Sequence, residues 1–300
     1  MVIKESLGDR IFNIINLFLL TAILVVILYP LLFVLAASVS DPIYVNTGRM
    51  WLIPRGLTVE GYVRVFSDDG IMTGYRNTIM YTVVGTVCNL IVTLMAAYAL
   101  SKKSLAGRGF FMLLISFTMY FSGGLIPTYL LYRNLNMLNK FSIMIVPGLV
   151  NTINLIIART FFANNVPLEM EEAAMIDGCS YTRTFVLIVL PLIKALIAVL
   201  ALYYGVNHWN AYFNALIFIT DRSRYPLQLF LREILIQAVM SVDLMNTGNP
   251  SSDEMLNAQV RLAGLIRYSV IIVSSLPIII IYPFLQKYFA KGIMIGAIKG

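Results

Sequence analysis

The sequence predicts an all-α integral membrane protein with six transmembrane helices and a short extra helix in the loop between the fourth and fifth. Two observations carry this expectation. Hydrophobic residues fill 59% of the 300 positions and charged residues only 12%, whereas a soluble domain carries about 25% charged residues. The apolar residues also gather into runs near the ~20 residues that a helix needs to cross a bilayer. The connections hold no segment that reads as a soluble catalytic domain.

Taken in order, the runs divide one transmembrane domain over residues 1–300 into spans near 14–38, 74–100, 109–132, 141–162, 184–207 and 264–288. The first follows Lys4 and Arg10 but is longer than the roughly 7–15 apolar residues of a signal peptide, so it reads as a membrane helix. Gly123-Gly124 and Pro127 in the third imply a bent or locally unwound helix, tolerated in lipid where the freed backbone faces protein or a cavity. A loop at 163–183 joins the fourth span to the fifth. The long connection 208–263 contains Ala211 to Ile219, too short to span and suited to a re-entrant or interfacial segment. It also holds Pro226 to Val239, which reads as an amphipathic helix on the outer surface.

Six spans put both termini on one side and the long segments 39–73 and 208–263 on the other. The short loop Ser101 to Arg108, with Lys102 and Lys103, and the tail with Lys287, Lys291 and Lys299 place the termini inside by the positive-inside rule. Every lysine but Lys140 falls on that inner side. The net charge of +7 is scattered between apolar runs, which excludes a nucleic-acid-binding face. Cys88 and Cys179 form no Cys/His cluster, so neither a disulfide nor a metal site is expected. His208, the single histidine, sits beside Trp209 at a helix end and reads as an interfacial or structural residue; Lys194 reads as a boundary residue.

The most informative stretch is Asn165 to Cys179. Pro167 suits the first position of a helix, Glu169, Glu171 and Glu172 suit its positive end, and Gly178 suits its stop. A helix of about three turns follows, with Ala173 and Ala174 on an exposed side beside Glu172 and Asp177. The spacing Glu172-Ala173-Ala174, then Gly178, then Ile188-Val189-Leu190-Pro191 resembles the EAA motif of permeases of binding-protein-dependent ABC importers. From Gly8-Asp9 to the tail Tyr282 to Gly292, including Asn207-His208-Trp209-Asn210, the chain is similar to the second, shorter permease of carbohydrate importers of the maltose-type group. The similarity points especially to those serving oligosaccharides such as alginate or pectin fragments.

The resemblance implies a transport subunit of the bacterial cytoplasmic membrane that moves a sugar or oligosaccharide by alternating access. It makes the loop helix a cytoplasmic coupling helix, and Glu169, Glu172, Ala173, Ala174, Asp177, Gly178, Leu190 and Pro191 the residues that couple to the ATP-binding subunit. It further implies a different second permease chain, two ATP-binding subunits and an extracytoplasmic sugar-binding protein. No lysine follows a glycine, so a P-loop is missing, and ATP and magnesium belong to the partner subunits.

A sugar path wants amide and hydroxyl groups beside aromatic rings. The candidates are Asn77, Asn89, Tyr120, Ser122, Tyr129, Asn151, Asn154, Tyr203, Tyr204, Asn207, Trp209 and Asn214. Polar side chains in membrane helices equally serve as glue between helices. Trp51, Arg55, Glu60, Tyr62 and Arg64, with Arg222, Arg224 and Tyr225, are candidates to meet the binding protein. A permease for a non-sugar solute and a secondary transporter are the rival readings. The second would want membrane-embedded carboxylates, yet every Asp and Glu falls in a loop or at a span boundary. No nucleophile with a base supports an intramembrane hydrolase.

Overall fold

The computed structural model describes residues 6–246 and 253–297, and among them regular structure is entirely helical. Lys4 and Lys299, used above to orient the chain, lie outside the described residues. Three helices are long and apolar enough to cross a membrane: Leu7–Ser38, Asp69–Ser101 and Ala263–Pro283. Three bent helix pairs raise the number to as many as six if each pair is one span.

These bent pairs fall where the third, fourth and fifth spans are expected. The third breaks by 117° between Arg108–Tyr120 and Leu125–Asn134, at the Gly123-Gly124 step the sequence marks. The fourth bends by 52° after 3-10 turns at Phe141–Met144 and Val146–Gly148. Pro147 has no N–H to continue a helix there, and Asn151 starts the helix Thr152–Asn165 by accepting the Asn154 N–H at 3.1 Å. The fifth bends by 84° at Ile193, just past Pro191. The spans expected at 141–162 and 184–207 are thus bent, and in each case a proline lies near the break.

The chain forms two compact units, residues 1–69 with 231–275 and residues 70–230 with 276–300. In the first, α1 (Leu7–Ser38) leaves its apolar body uncovered and buries only Ala36, Ala37 and Ser38. A helix that is apolar on all faces suits lipid or another membrane chain. The following loop is knotted by polar bonds. Ser40 Oγ donates to the Ala36 carbonyl at 2.6 Å and accepts the Arg55 N–H at 3.2 Å, and the Asp41 N–H donates to the Arg55 carbonyl at 3.0 Å. Ser269 Oγ reaches the Ser38 carbonyl at 3.3 Å, and Arg261 pairs with Asp41 at 3.3 Å.

The second unit is built around α2, the unbroken helix Asp69–Ser101. Its buried residues Gly74, Thr78, Tyr81, Gly85, Asn89, Thr93, Ala97 and Leu100 recur every three or four positions, one stripe of a helix. Leu94, Ala97 and Leu100 pack with Leu155, Ala158 and Phe162 of the fourth-span helix and with Val189, Ile193, Leu196, Leu200 and Tyr204 of the fifth. A second cluster joins Tyr81 to Ile143, Met144, Ala215, Phe218 and Leu229. It seats the short helix Phe213–Phe218, which fills the stretch expected to be re-entrant or interfacial. The helix starting at Leu227 buries Leu227, Leu229 and Phe230. Its first turn is thus packed inside the unit.

A methyl group at Gly61 would run into the Leu265 carbonyl and the Ser269 hydroxyl. Backbone cannot rotate away, so Gly61→Ala is expected to cost about 1–3 kcal/mol, read as a lower melting temperature of the detergent-solubilised protein.

Candidate functional site

Two places hold the chemistry-bearing residues that the sequence singles out: the loop at 163–183 and the polar stripe of α2. In the loop, a nine-residue helix, Leu168–Ile176, sits between Pro167 and Gly178. Pro167 stands just before the helix, with extended ψ of 139°, one position earlier than expected. The end is closed by a turn in which Cys179 N–H donates to the Ala174 carbonyl at 2.9 Å and Gly178 N–H to Met175 at 3.0 Å. Gly178 takes φ of +78° there, a conformation that costs any residue with a Cβ.

The helix has two unlike faces. Glu171 and Ala174 point inward and are buried, while Glu169, Glu172, Ala173 and Asp177 are exposed with Leu168, Met175 and Ile176. Ala174 thus corrects the expectation that both alanines face outward. Leu190 is half-buried and Pro191 exposed at the bend of the fifth span.

Glu171, which the sequence reading valued only as a helix-end charge, is the anchor. Its carboxylate meets the Lys102 ammonium at the end of α2 and accepts the Tyr98 hydroxyl at 3.1 Å. Tyr98 lies edge-on to Phe162 at 5.5 Å and against Phe185 at 4.8 Å, and the Lys102 ammonium lies 4.1 Å from its ring centroid. Arg159 Nε donates to the Leu100 carbonyl at 3.2 Å. The loop helix is therefore fastened to the end of α2 by a charge pair braced by Tyr98, whose ring packs on Phe162 and Phe185. The periodicity that places Glu171 and Ala174 on one face, with lysines in the short loop after α2, was the available signal.

Along α2, polar side chains hold backbone elsewhere in the unit. Asn77 donates to the Ser223 and Tyr225 carbonyls at 2.8 and 3.0 Å, Thr78 accepts the Leu227 N–H at 2.8 Å, and Tyr81 donates to the Arg224 carbonyl at 2.9 Å. Asn89 donates to the Gly148 and Leu149 carbonyls at 2.6 and 2.7 Å, at the break of the fourth span. Carbonyls only accept, so the Asn89 NH2 faces them and its Oδ1 faces His208 Nε2 at 2.6 Å. That nitrogen therefore carries the ring proton. His208 is buried and structural, and Gly85 makes room for its ring. Tyr204 pairs with Thr93 at 2.7 Å and accepts the Asn151 N–H at 3.3 Å.

The structure thus divides the twelve path candidates. Asn77, Asn89 and Tyr204 are engaged in packing bonds, Asn154 is buried, and Trp209 is buried edge-on to Tyr75 at 5.8 Å. Tyr120, Ser122, Asn151, Tyr203 and Asn207 are exposed, Asn214 is half-buried, and the exposed Tyr129 stacks on Phe218 at 6.0 Å. In the loop 219–225, Ser223 donates two bonds to Asp221 and holds that carboxyl below its ordinary range.

No family model matches the chain. Protein LplC of Bacillus subtilis is 39% identical over 293 residues, 98% of this chain and 96% of that protein. The polygalacturonan/rhamnogalacturonan transport system permease protein YtcP of the same organism is 36% identical over 295 residues, 97% of this chain and 99% of that one. A chain from the crystal structure of a bacterial ABC transporter involved in the import of the acidic polysaccharide alginate superposes with a TM-score of 0.84 at 33% identity. The match covers 96% of this chain and all of that chain.

Two outcomes are expected. Removing one partner of a largely buried charge pair strands the other, so Glu171→Leu or Lys102→Met alone should each cost about 3–5 kcal/mol. The double variant should cost less than the sum, measured as a double-mutant cycle on thermal unfolding. Asn89→Leu leaves two carbonyls and a histidine N–H unpaired and should lose about 1–3 kcal/mol, whereas Asn207→Leu should leave the melting temperature unchanged.

Proposed function

This chain belongs to the permease subunits of carbohydrate ABC importers, and from that premise we propose that it carries acidic oligosaccharides, driven through the helix Leu168–Ile176. Like its relatives it is a membrane transport subunit and not an enzyme. The uronic-acid polymers named for YtcP and for the alginate importer support an anionic sugar as cargo. Under this reading each bent pair counts as one span, the six spans form one permease domain, and both termini face the cytoplasm.

One observation carries the coupling role: the loop helix is clamped on its inner face by Glu171 and offers Leu168, Glu172, Ala173 and Ile176 on its outer face. Ile176 is 86% exposed in a loop that hydropathy places in water, and an exposed apolar group ringed by carboxylates suits a protein partner. That partner is an ATP-binding subunit that holds ATP and magnesium. Two such subunits, a different second permease and an extracytoplasmic sugar-binding protein complete the importer. Closure of the ATP-binding pair displaces the helix, and the Lys102–Glu171 pair passes the displacement to α2, shifting the spans between inward and outward access. The exposed Tyr120, Ser122, Tyr203 and Asn207 are the candidates to touch sugar, while Asn77, Asn89 and Tyr204 hold the helices.

The test is ATPase activity of the assembled importer in liposomes. Loaded binding protein should raise it in the wild type. Gly178→Asp, strained at positive φ, and Glu172→Lys, with reversed charge, should abolish the rise without loss of assembly. A rise that survives both variants would sink the coupling role.

A further inference from the structure

The loop 47–56 of the first unit surrounds a hollow of about 480 Å³ lined by Arg49, Trp51, Leu52, Ile53 and Arg55. Its frame is fixed. Arg49 and Met50 N–H groups both donate to the Tyr44 carbonyl at 2.9 and 3.0 Å, Met50 is buried at 2% exposure, and Arg55 is pinned at N–H and carbonyl by Ser40 and Asp41. The side chains that rise from this frame are unusual. Trp51 is 74% exposed, although Trp is highly buried on average. Arg49 and Arg55 are exposed and have no carboxylate partner among the described residues, because Asp41 is taken by Arg261 and Glu60 by Arg64.

From this arrangement we infer that the Arg49–Trp51–Arg55 hollow is a binding subsite for the uronate units of an acidic oligosaccharide, an inference that rests on the importer reading above. The chemistry fits in each part. An indole face accepts the C–H face of a pyranose ring. A guanidinium presents paired N–H groups in the fork that matches a carboxylate, which an ammonium cannot do. Two such forks lining one hollow with an indole suit a polymer with a carboxylate on each sugar. The volume lies within the range of roughly 300–1,000 Å³ typical of small-molecule sites, whereas protein docking calls for about 800 Å² of surface per partner. On the proposed topology the hollow faces outward, where cargo arrives.

The test uses the assembled importer in nanodiscs of zwitterionic lipid, without binding protein, titrated with fluorescent trigalacturonate and read by anisotropy. Wild type should bind saturably, with unlabelled trigalacturonate competing and neutral maltotriose not competing. Arg49→Gln with Arg55→Gln should weaken binding by about tenfold or more, and Trp51→Leu by several-fold. The melting temperature and elution volume of the assembled importer should be unchanged in all variants, which serves as the control for folding. Arg49→Lys with Arg55→Lys should bind between wild type and the glutamine pair, since charge remains and the fork is lost.

Unchanged affinity in the glutamine pair overturns the inference. So does a pair that binds trigalacturonate normally but needs more loaded binding protein for half-maximal ATPase activity, which would make the loop a protein dock. If binding protein loaded with trigalacturonate fails to stimulate wild type while a neutral oligosaccharide succeeds, the acidic-cargo reading falls and this subsite falls with it. Stimulation by the acidic cargo with hollow variants that bind normally removes the subsite alone.

Discussion

A backbone carbonyl left open inside a bilayer has no water to turn to, and an unsatisfied group there costs several kcal/mol. Broken spans are therefore admissible only where something else supplies donors. In the second unit that supplier is one unbroken helix, Asp69–Ser101, whose stripe of small and polar residues faces the breaks. Asn89 takes the two carbonyls freed where Pro147 interrupts the fourth span, and His208 completes the valences of Asn89. Thr93 and Tyr204 serve the same junction from one turn further along. Such bonds between membrane helices are worth only about 0.6–2 kcal/mol each, so their value lies in permitting bends that would otherwise be forbidden.

The same constraint explains which parts of the fold were legible in the sequence. Hydropathy reports how long a segment stays apolar, and all six segments named from it coincide with long helices or bent pairs. It cannot report a break whose polar groups are satisfied from another helix. The third-span break was visible because Gly123-Gly124 removes side chains locally. The bends near Pro147 and Pro191 leave the apolar pattern intact, and only the prolines mark them. Asn77 and Asn89 read as path residues because an amide in an apolar run suits sugar hydroxyls and backbone carbonyls equally well. The spacing of Gly85, Asn89, Thr93 and Ala97 four residues apart was the sign that this face packs against protein.

In the loop helix the spacing of Glu172, Ala173, Ala174 and Gly178 was legible as a family pattern, and the structure adds what the pattern does not state. A nine-residue helix is too short to be stable by itself, since isolated helices below about 12–15 residues are marginal. Its order comes from its boundaries: the closed turn at Gly178, the Ser180 side chain that accepts the Arg183 N–H, and above all Glu171. Burying that carboxylate is unfavourable unless it is paired and hydrogen-bonded, and Lys102 and Tyr98 provide both.

This arrangement also sets how force can travel. An exposed surface pair would add little and yield to salt, so a push on the loop helix would be absorbed by rearranging side chains. A pair whose carboxylate is buried resists separation, because parting the charges strands Glu171 in a poorly solvated place. Displacement of Leu168–Ile176 must then carry the end of Asp69–Ser101 with it. That helix bonds to the break of the fourth span through Asn89 and to the fifth span through Thr93 and His208. Under the proposed coupling role, a load applied at Glu172 or Ile176 thus reaches the bends themselves.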